Sequence, residues 1–314
     1  MNECDAHAAG RVAVLRRPAT GDASLGDHEG MSPLVDVDRL HAELGSAAPP
    51  RLLDVRWRLN EPEGRPAYLG GHLPGAVYVD LERELARPGR PEEGRYPLPG
   101  RSDLEAAARR WGLHRGDRVV AYDDNDGVAA ARAWWLLRGH GIDVRVLDGG
   151  FRAWLHAGHP LARGDHAPRA GDVVLAAAEA AVATLQDAAL APRTGVLIDV
   201  RAPQHYRGQV GGLDPGSGHI PGAINIPTVS HIAPDGRLHT ADHIRSALAA
   251  RGIVPGTDIV LYCNNGIASA HSALALAVAG IPARVYPGSW SQWTRSPGRP
   301  IATGATPAEV ITAV

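Results

Sequence analysis

Leu52-Leu53-Asp54-Val55-Arg56 and Leu197-Ile198-Asp199-Val200-Arg201 are two versions of one phrase, and their recurrence decides the fold. Three further landmarks repeat in the same order. Gly71-His72-Leu73-Pro74-Gly75-Ala76-Val77 is answered by Gly218-His219-Ile220-Pro221-Gly222-Ala223-Ile224, and Val119-Val120-Ala121-Tyr122 by Ile259-Val260-Leu261-Tyr262. Asp148-Gly149-Gly150-Phe151-Arg152-Ala153-Trp154 is answered by Pro287-Gly288-Ser289-Trp290-Ser291-Gln292-Trp293. The offset drifts only from 147 (219 − 72) to 139 (293 − 154), so four landmarks stay in register. Such a pattern marks a duplicated unit.

Each copy alternates strand and helix. The runs Arg118–Tyr122 and Asp258–Tyr262 are apolar without alternation, as in parallel strands covered on both faces. Helices are expected over Ser102–Trp111, Val128–Arg138, Thr240–Arg251 and Ile267–Ala279, the last stopped by Gly280 and Pro282. The expectation is therefore an α/β chain of two tandem domains, each a mainly parallel sheet flanked by helices. Their expected bounds are 33–161 and 173–304, with an Arg-, Gly-, Pro- and His-rich linker at 162–172. A flexible tail is expected at 1–32 and a second tail at 305–314.

Composition narrows the chemistry. With 314 residues, 44% of them hydrophobic, the chain can bury two cores. A net charge of −2 gives no field to draw nucleic acid or an anionic membrane. All 32 cations are arginines, so Schiff-base lysine chemistry and a phosphate loop ending in Lys are excluded. Two cysteines, Cys4 and Cys263, suggest a reducing compartment, and no signal-like run stands near the start; a cytoplasmic location is the default expectation. The 15 histidines fall in no ligand-like spacing, and no metal or other cofactor is expected.

The segment Tyr262-Cys263-Asn264-Asn265-Gly266-Ile267-Ala268-Ser269 carries the chemistry. It places a thiol between a strand end and a helix start, where ligands of open α/β sheets bind. Unpaired helix N–H groups and the positive end of the dipole favour a thiolate there, and the thiolate is the nucleophile. The plain alternative is a small apolar residue closing a strand. A hairpin turn at Asn265-Gly266 is disfavoured by the Ala- and Leu-rich run that follows. In the first copy Asp123 stands where the second has Cys263, giving one loop with a nucleophile and one without.

Together these motifs resemble the tandem-domain rhodaneses, the thiosulfate and 3-mercaptopyruvate sulfurtransferases, over nearly all of residues 34–303. The resemblance implies an inactive first domain, a catalytic second domain and double displacement through a persulfide on Cys263. The donor would be a small sulfur compound and the acceptor a thiol, cyanide or a reduced protein thiol. Backbone N–H groups of the loop Asn264 to Ser269 would hold the anion. Two departures stand out. Neutral Asn264 and Asn265 follow the cysteine, which favours 3-mercaptopyruvate over thiosulfate. In Gln204-His205-Tyr206-Arg207-Gly208, His205 replaces the Arg with which relatives grip the donor, leaving Arg207, with His205, as the substrate-orienting candidates. The alternatives are a persulfide carrier or regulatory module without turnover, and a phosphatase, which would need Arg where Ser269 stands. Asp54 and Asp199 are expected to be structural, His72 and His219 to brace turns, His271 to pack, and Arg56, Arg58 and Arg65 to form ion pairs.

Overall fold

A computed structural model describes residues 32–178, 181–307 and the backbone of 310–313. The tail expected at 1–32 and the thiol of Cys4 fall almost wholly outside the described residues. The first domain runs β1 (Leu34–Val35), α1 (Val37–Leu44), β2 (Arg51–Asp54), α2 (Arg65–Gly70), β3 (Ala76–Tyr78), α3 (Leu81–Glu84) and α4 (Arg101–Arg110). It continues with β4 (Val119–Tyr122), α5 (Val128–Gly139), β5 (Val144–Leu147) and α6 (Gly150–His156). Its strands are all parallel, in the order β1-β5-β4-β2-β3.

The second domain comprises α7 (Leu185–Thr194), β6 (Val196–Asp199), α8 (Pro203–Tyr206), β7 (Ile224–Asn225), α9 (Ala241–Ala249) and β8 (Ile259–Tyr262). Then follow α10 (Ala268–Val278), β9 (Arg284–Val285), α11 (Ser289–Trp293), β10 (Pro300–Thr303) and β11 (Val310–Ala313). The parallel order β7-β6-β8-β9 repeats β3-β2-β4-β5 of the first sheet, and Val182 bridges Val285 where β1 meets β5.

The duplicated phrases turn out to be bonded to each other. Arg56 forks onto Asp54, with Nη2 2.6 Å from Oδ2, and the same Nη2 donates to the carbonyl of Gly71 at 2.6 Å. Arg201 repeats this with Asp199 and the carbonyl of Gly218, at 2.6 Å each. All four side chains are buried, and a buried ion pair holds only when its remaining donors and acceptors are also met. Asp-x-Arg thus clamps the glycine that opens Gly-His-x-Pro-Gly. His72 and His219 brace these turns as expected: Nδ1 bonds the carbonyl of Tyr68 or Tyr206, and each ring stacks on that tyrosine. Arg58 and Arg65 form exposed ion pairs with Asp124 and Asp165.

The domains pack through α5 and α10. Neither helix has a polar face: α5 reads Val-Ala-Ala-Ala-Arg-Ala-Trp-Trp-Leu-Leu-Arg-Gly, and α10 carries only Ser and His among apolar residues. Helices apolar on every side must be covered on every side, so each fills the gap between one sheet and the other domain. One apolar cluster accordingly spans both domains, joining Trp134 and Leu137 to Ala270 and Leu274.

Two expected boundaries shift. Residues 173–176, expected to open the second domain, still lie on the first: Val173 N–H bonds Leu113 O at 3.1 Å, Ala176 N–H bonds His140 O at 3.1 Å, and Val173 and Leu175 are buried. The residues set apart as a C-terminal tail, 305–314, include β11, which pairs antiparallel with β10 from Thr303↔Val310 to Pro300↔Ala313. Pro307 O accepts the Gly222 N–H at 2.7 Å, tying that return to a repeated turn. A composition-based reading misses both, because neither segment carries a repeat landmark.

Candidate active site

Strand β8 delivers Cys263 to the carboxyl edge of the second sheet, and α10 starts five residues later. The thiol sulfur sits inside the connecting loop. Gly266 N–H lies 3.1 Å from Sγ and Asn265 N–H 3.5 Å; Ser269 Oγ stands at 3.6 Å, and Asn265 Oδ1 and Ser289 Oγ at 3.9 Å. Two amides point at one sulfur, with a hydroxyl beside it, so the sulfur lies in a polar loop rather than among apolar side chains. Gly266 makes the curl possible. Its φ is +81°, and a Cβ there would sit 2.6 Å from the carbonyl oxygen of Pro287.

The first domain shows what such a loop is shaped to hold. The Asp123 carboxylate takes the place of the thiol and accepts four backbone N–H bonds. Oδ1 binds Asn125 at 2.8 Å and Gly127 at 2.9 Å; Oδ2 binds Ala129 at 2.8 Å and Ala130 at 2.9 Å. Through the repeat, Asn125 and Gly127 correspond to Asn265 and Gly266, the residues whose amides face Sγ. Ala129 and Ala130 correspond to Ala268 and Ser269. A two-atom anion therefore fills the loop in the first domain, whereas Sγ matches only the inner atom of that anion in the second.

The segment Tyr286-Pro287-Gly288-Ser289-Trp290 braces the loop from behind, a task the sequence did not reveal. Trp290 N–H bonds Cys263 O and Ser291 N–H bonds Asn264 O, both at 3.0 Å, and Cys263 N–H bonds Ser289 Oγ at 3.2 Å. Ser289 adopts φ +52°, the left-handed region that its counterpart Gly150 occupies at +55°. A serine there is strained, and its hydroxyl is what the strained backbone places against the loop. The motif was visible in sequence only as a repeat landmark, since its contacts cross 26 residues.

Of the remaining loop positions, Asn264 and Ala268 are half-buried and Ile267 packs into the core. Asn264 contributes through its carbonyl, with no side-chain contact to Sγ among the described residues. Arg207 caps α8 with its side chain exposed. His205 is half-buried; burial first, then the positive charge of Arg201, pushes its pKa below the usual histidine value, so it is neutral at neutral pH. Among the described residues, Arg201 and, from the first domain, Arg132 are two cations that interact electrostatically with Cys263. Arg201 lies over the Trp290 ring with Cζ 4.5 Å from its centroid. Cys263 itself is 2% exposed. Cavities of about 370 and 290 Å³ lie around Trp135, Gly139 and Ala181. Among the described residues no group of His, Cys, Asp or Glu is placed to hold a metal ion, and no helix is long and apolar enough to cross a membrane.

A doubled parallel α/β unit with one thiol-bearing loop and one carboxylate-bearing loop defines the class. The chain belongs to the rhodanese-like family: the rhodanese-like domain matches it twice, over residues 36–157 and 179–296. It is 42% identical over 277 residues to SseB of Mycobacterium tuberculosis, named for thiosulfate sulfurtransferase activity, covering 86% of this chain and 97% of that one. It is 41% identical over 263 residues to a Pseudomonas aeruginosa protein named as a 3-mercaptopyruvate sulfurtransferase, covering 81% and 92%. Among solved structures, the 3-mercaptopyruvate sulfurtransferase SseA of Escherichia coli superposes with a TM-score of 0.74 at 29% identity, covering 83% of this chain and 99% of that one.

Proposed function

We propose that this sulfurtransferase moves a sulfane sulfur through a persulfide on Cys263, taking it from 3-mercaptopyruvate in preference to thiosulfate and passing it to a thiol or cyanide. The observation that carries this reading is the comparison of the two loops. The Asp123 loop holds an anion of two atoms with four amides, and the Cys263 loop keeps the same shape around one sulfur. A second sulfur bonded to Sγ would take the place of Asp123 Oδ2, facing the amides of Ala268 and Ser269.

In the first step the Cys263 thiolate attacks the sulfur of 3-mercaptopyruvate. The S–S bond forms, the C–S bond breaks, and its electron pair stays on carbon, which takes the thiol proton to give pyruvate. In the second step a thiolate or cyanide attacks the outer sulfur and the Cys263 thiolate leaves. The loop amides hold the anion at each stage, as an oxyanion hole does for oxygen. His205 and Arg207 orient the donor, Arg207 meeting its carboxylate. Thiosulfate is the poorer donor, because its sulfonate end finds neutral Asn264 and Asn265 beside the sulfur.

Steady-state turnover with each donor and cyanide tests this. The expected kcat/KM for 3-mercaptopyruvate exceeds that for thiosulfate by about tenfold or more, the value of one charge-assisted hydrogen bond. Equal or better use of thiosulfate contradicts the donor assignment. A chain that is loaded once but turns over neither donor is a sulfur carrier.

A further inference from the structure

Four arginines are buried among the described residues: Arg56, Arg132, Arg145 and Arg201. Three pair with carboxylates: Arg56 with Asp54, Arg145 with Glu43 and Arg201 with Asp199. Arg132, on α5 and fully buried, pairs with none. Its hydrogen-bond partners are carbonyl oxygens alone: Leu85 O at 3.3 Å from Nε, Tyr96 O at 3.2 Å from Nη2, and Gly266 O at 3.1 Å from Nη1, and its Cζ lies 5.8 Å from the centroid of the Trp135 ring. A buried cation facing only neutral dipoles is costly and is retained where a negative charge can offset it. The acid with which it interacts is Cys263.

Gly266 joins the two groups. Its N–H points at Sγ from 3.1 Å, and its carbonyl is held by Arg132 across the domain boundary. We propose that Arg132 is a positioning residue through which the domain without a nucleophile fixes Gly266 with its N–H aimed at Cys263, while supplying the buried positive charge that balances an anionic sulfur. This rests on reading Cys263 as the sulfur-carrying nucleophile.

The duplication supports it. At the offset of 139 that relates Gly127 to Gly266, Arg132 corresponds to His271 on α10. His271 in turn faces the first loop: a Cβ on Gly127 would lie 3.8 Å from its Cδ2. Burial lowers the His271 pKa to about 4, so it is neutral, and the loop it faces already holds a carboxylate in four amide bonds. Burial lowers Arg132 too, to about 10, which leaves it charged at neutral pH. The pair is where the two halves depart from symmetry: the cation faces the nucleophile's loop, the neutral ring faces the other.

The test is the pH dependence of Cys263 alkylation by iodoacetamide, in a Cys4→Ser background that leaves one thiol, with folding followed by circular dichroism. Arg132→Gln is expected to react about tenfold or more slowly than the unsubstituted chain at neutral pH and at a similar rate in alkali, since a charge acts on ionisation rather than on access. Arg132→Lys should recover most of the neutral-pH rate. A folded Arg132→Gln with an unchanged profile, or one equally slow at every pH, overturns the proposal. Should Arg132→Gln not fold, Arg132→Lys decides: a loss beyond about tenfold that persists in alkali marks a purely structural arginine. A chain that takes up no sulfur from any donor refutes the reading of Cys263 itself. Sulfur uptake with coincident profiles refutes only the role of Arg132.

Discussion

At the scale of single residues, the Cys263 loop depends on one glycine more than on either asparagine. Gly266 sits at φ +81° with Pro287 O where a Cβ would go, while its two polar groups serve Sγ and Arg132. Gly266→Ala is therefore expected to cost roughly 2–4 kcal/mol of stability, from left-handed strain plus the clash, and to lower turnover by more than about tenfold. Gly280→Ala is the control. Gly280 also has positive φ, +72°, but meets no atom within 4 Å, so it should cost only about 1 kcal/mol and leave turnover intact. Urea midpoints and kcat of the two variants check this, and equal effects on activity would contradict it. The sequence made Cys263, Asn265, Gly266 and Ser269 legible because they lie in one local loop. Ser289 and Arg132 were not legible. One reaches the loop from the next strand's turn and the other from another domain, contacts that leave no local pattern.

At the scale of elements, α10 carries a second set of constraints next to the end that faces Cys263. His271 is fully buried with Nδ1 2.8 Å from Thr228 Oγ1, in the turn Thr228–His231 that packs on the helix. Burial lowers its pKa to about 4, and burial first, then the charges of His271 and His239, lower that of His231 to about 4. Both folded values lie below the ordinary 6.5 of the unfolded chain. Between pH 6.5 and 4 the unfolded chain therefore binds protons that the folded chain refuses, so stability is full above about pH 6.5 and falls as pH drops toward 4. The expected loss is on the order of 2–3 kcal/mol per histidine by pH 4. Urea midpoints at successive pH values should show this slope, and His271→Gln should flatten it; an unchanged slope would contradict the assignment. The helices and strands that position the site were legible from periodicity and stops, with ends displaced by one or two residues. The β10–β11 return was not, because two short edge strands outside the repeat have nothing to be compared with.

At the scale of the whole molecule, duplication has kept the scaffold and divided its labour. Both loops retain the anion-shaped curl, but one fills it permanently with Asp123 and the other leaves it to a sulfur. The two domains were legible from the four repeated landmarks, and their pairing through α5 and α10 follows from helices that have no polar side. What composition could not convey is that the first domain reaches into the second through Arg132, Arg95 and Asp148. Arg95 binds Asp214 at 3.1 Å, and Asp148 accepts the Leu238 N–H at 3.0 Å. The first domain is thus bonded to the second through side chains as well as through the packing of α5 on α10.

The central claim, a persulfide on Cys263, is tested most directly by intact-protein mass spectrometry after brief exposure to 3-mercaptopyruvate without acceptor. The account predicts one added sulfur on the unsubstituted chain, removed by cyanide, and none on a folded Cys263→Ala. Equal labelling of both proteins, or no labelling of either, would contradict it.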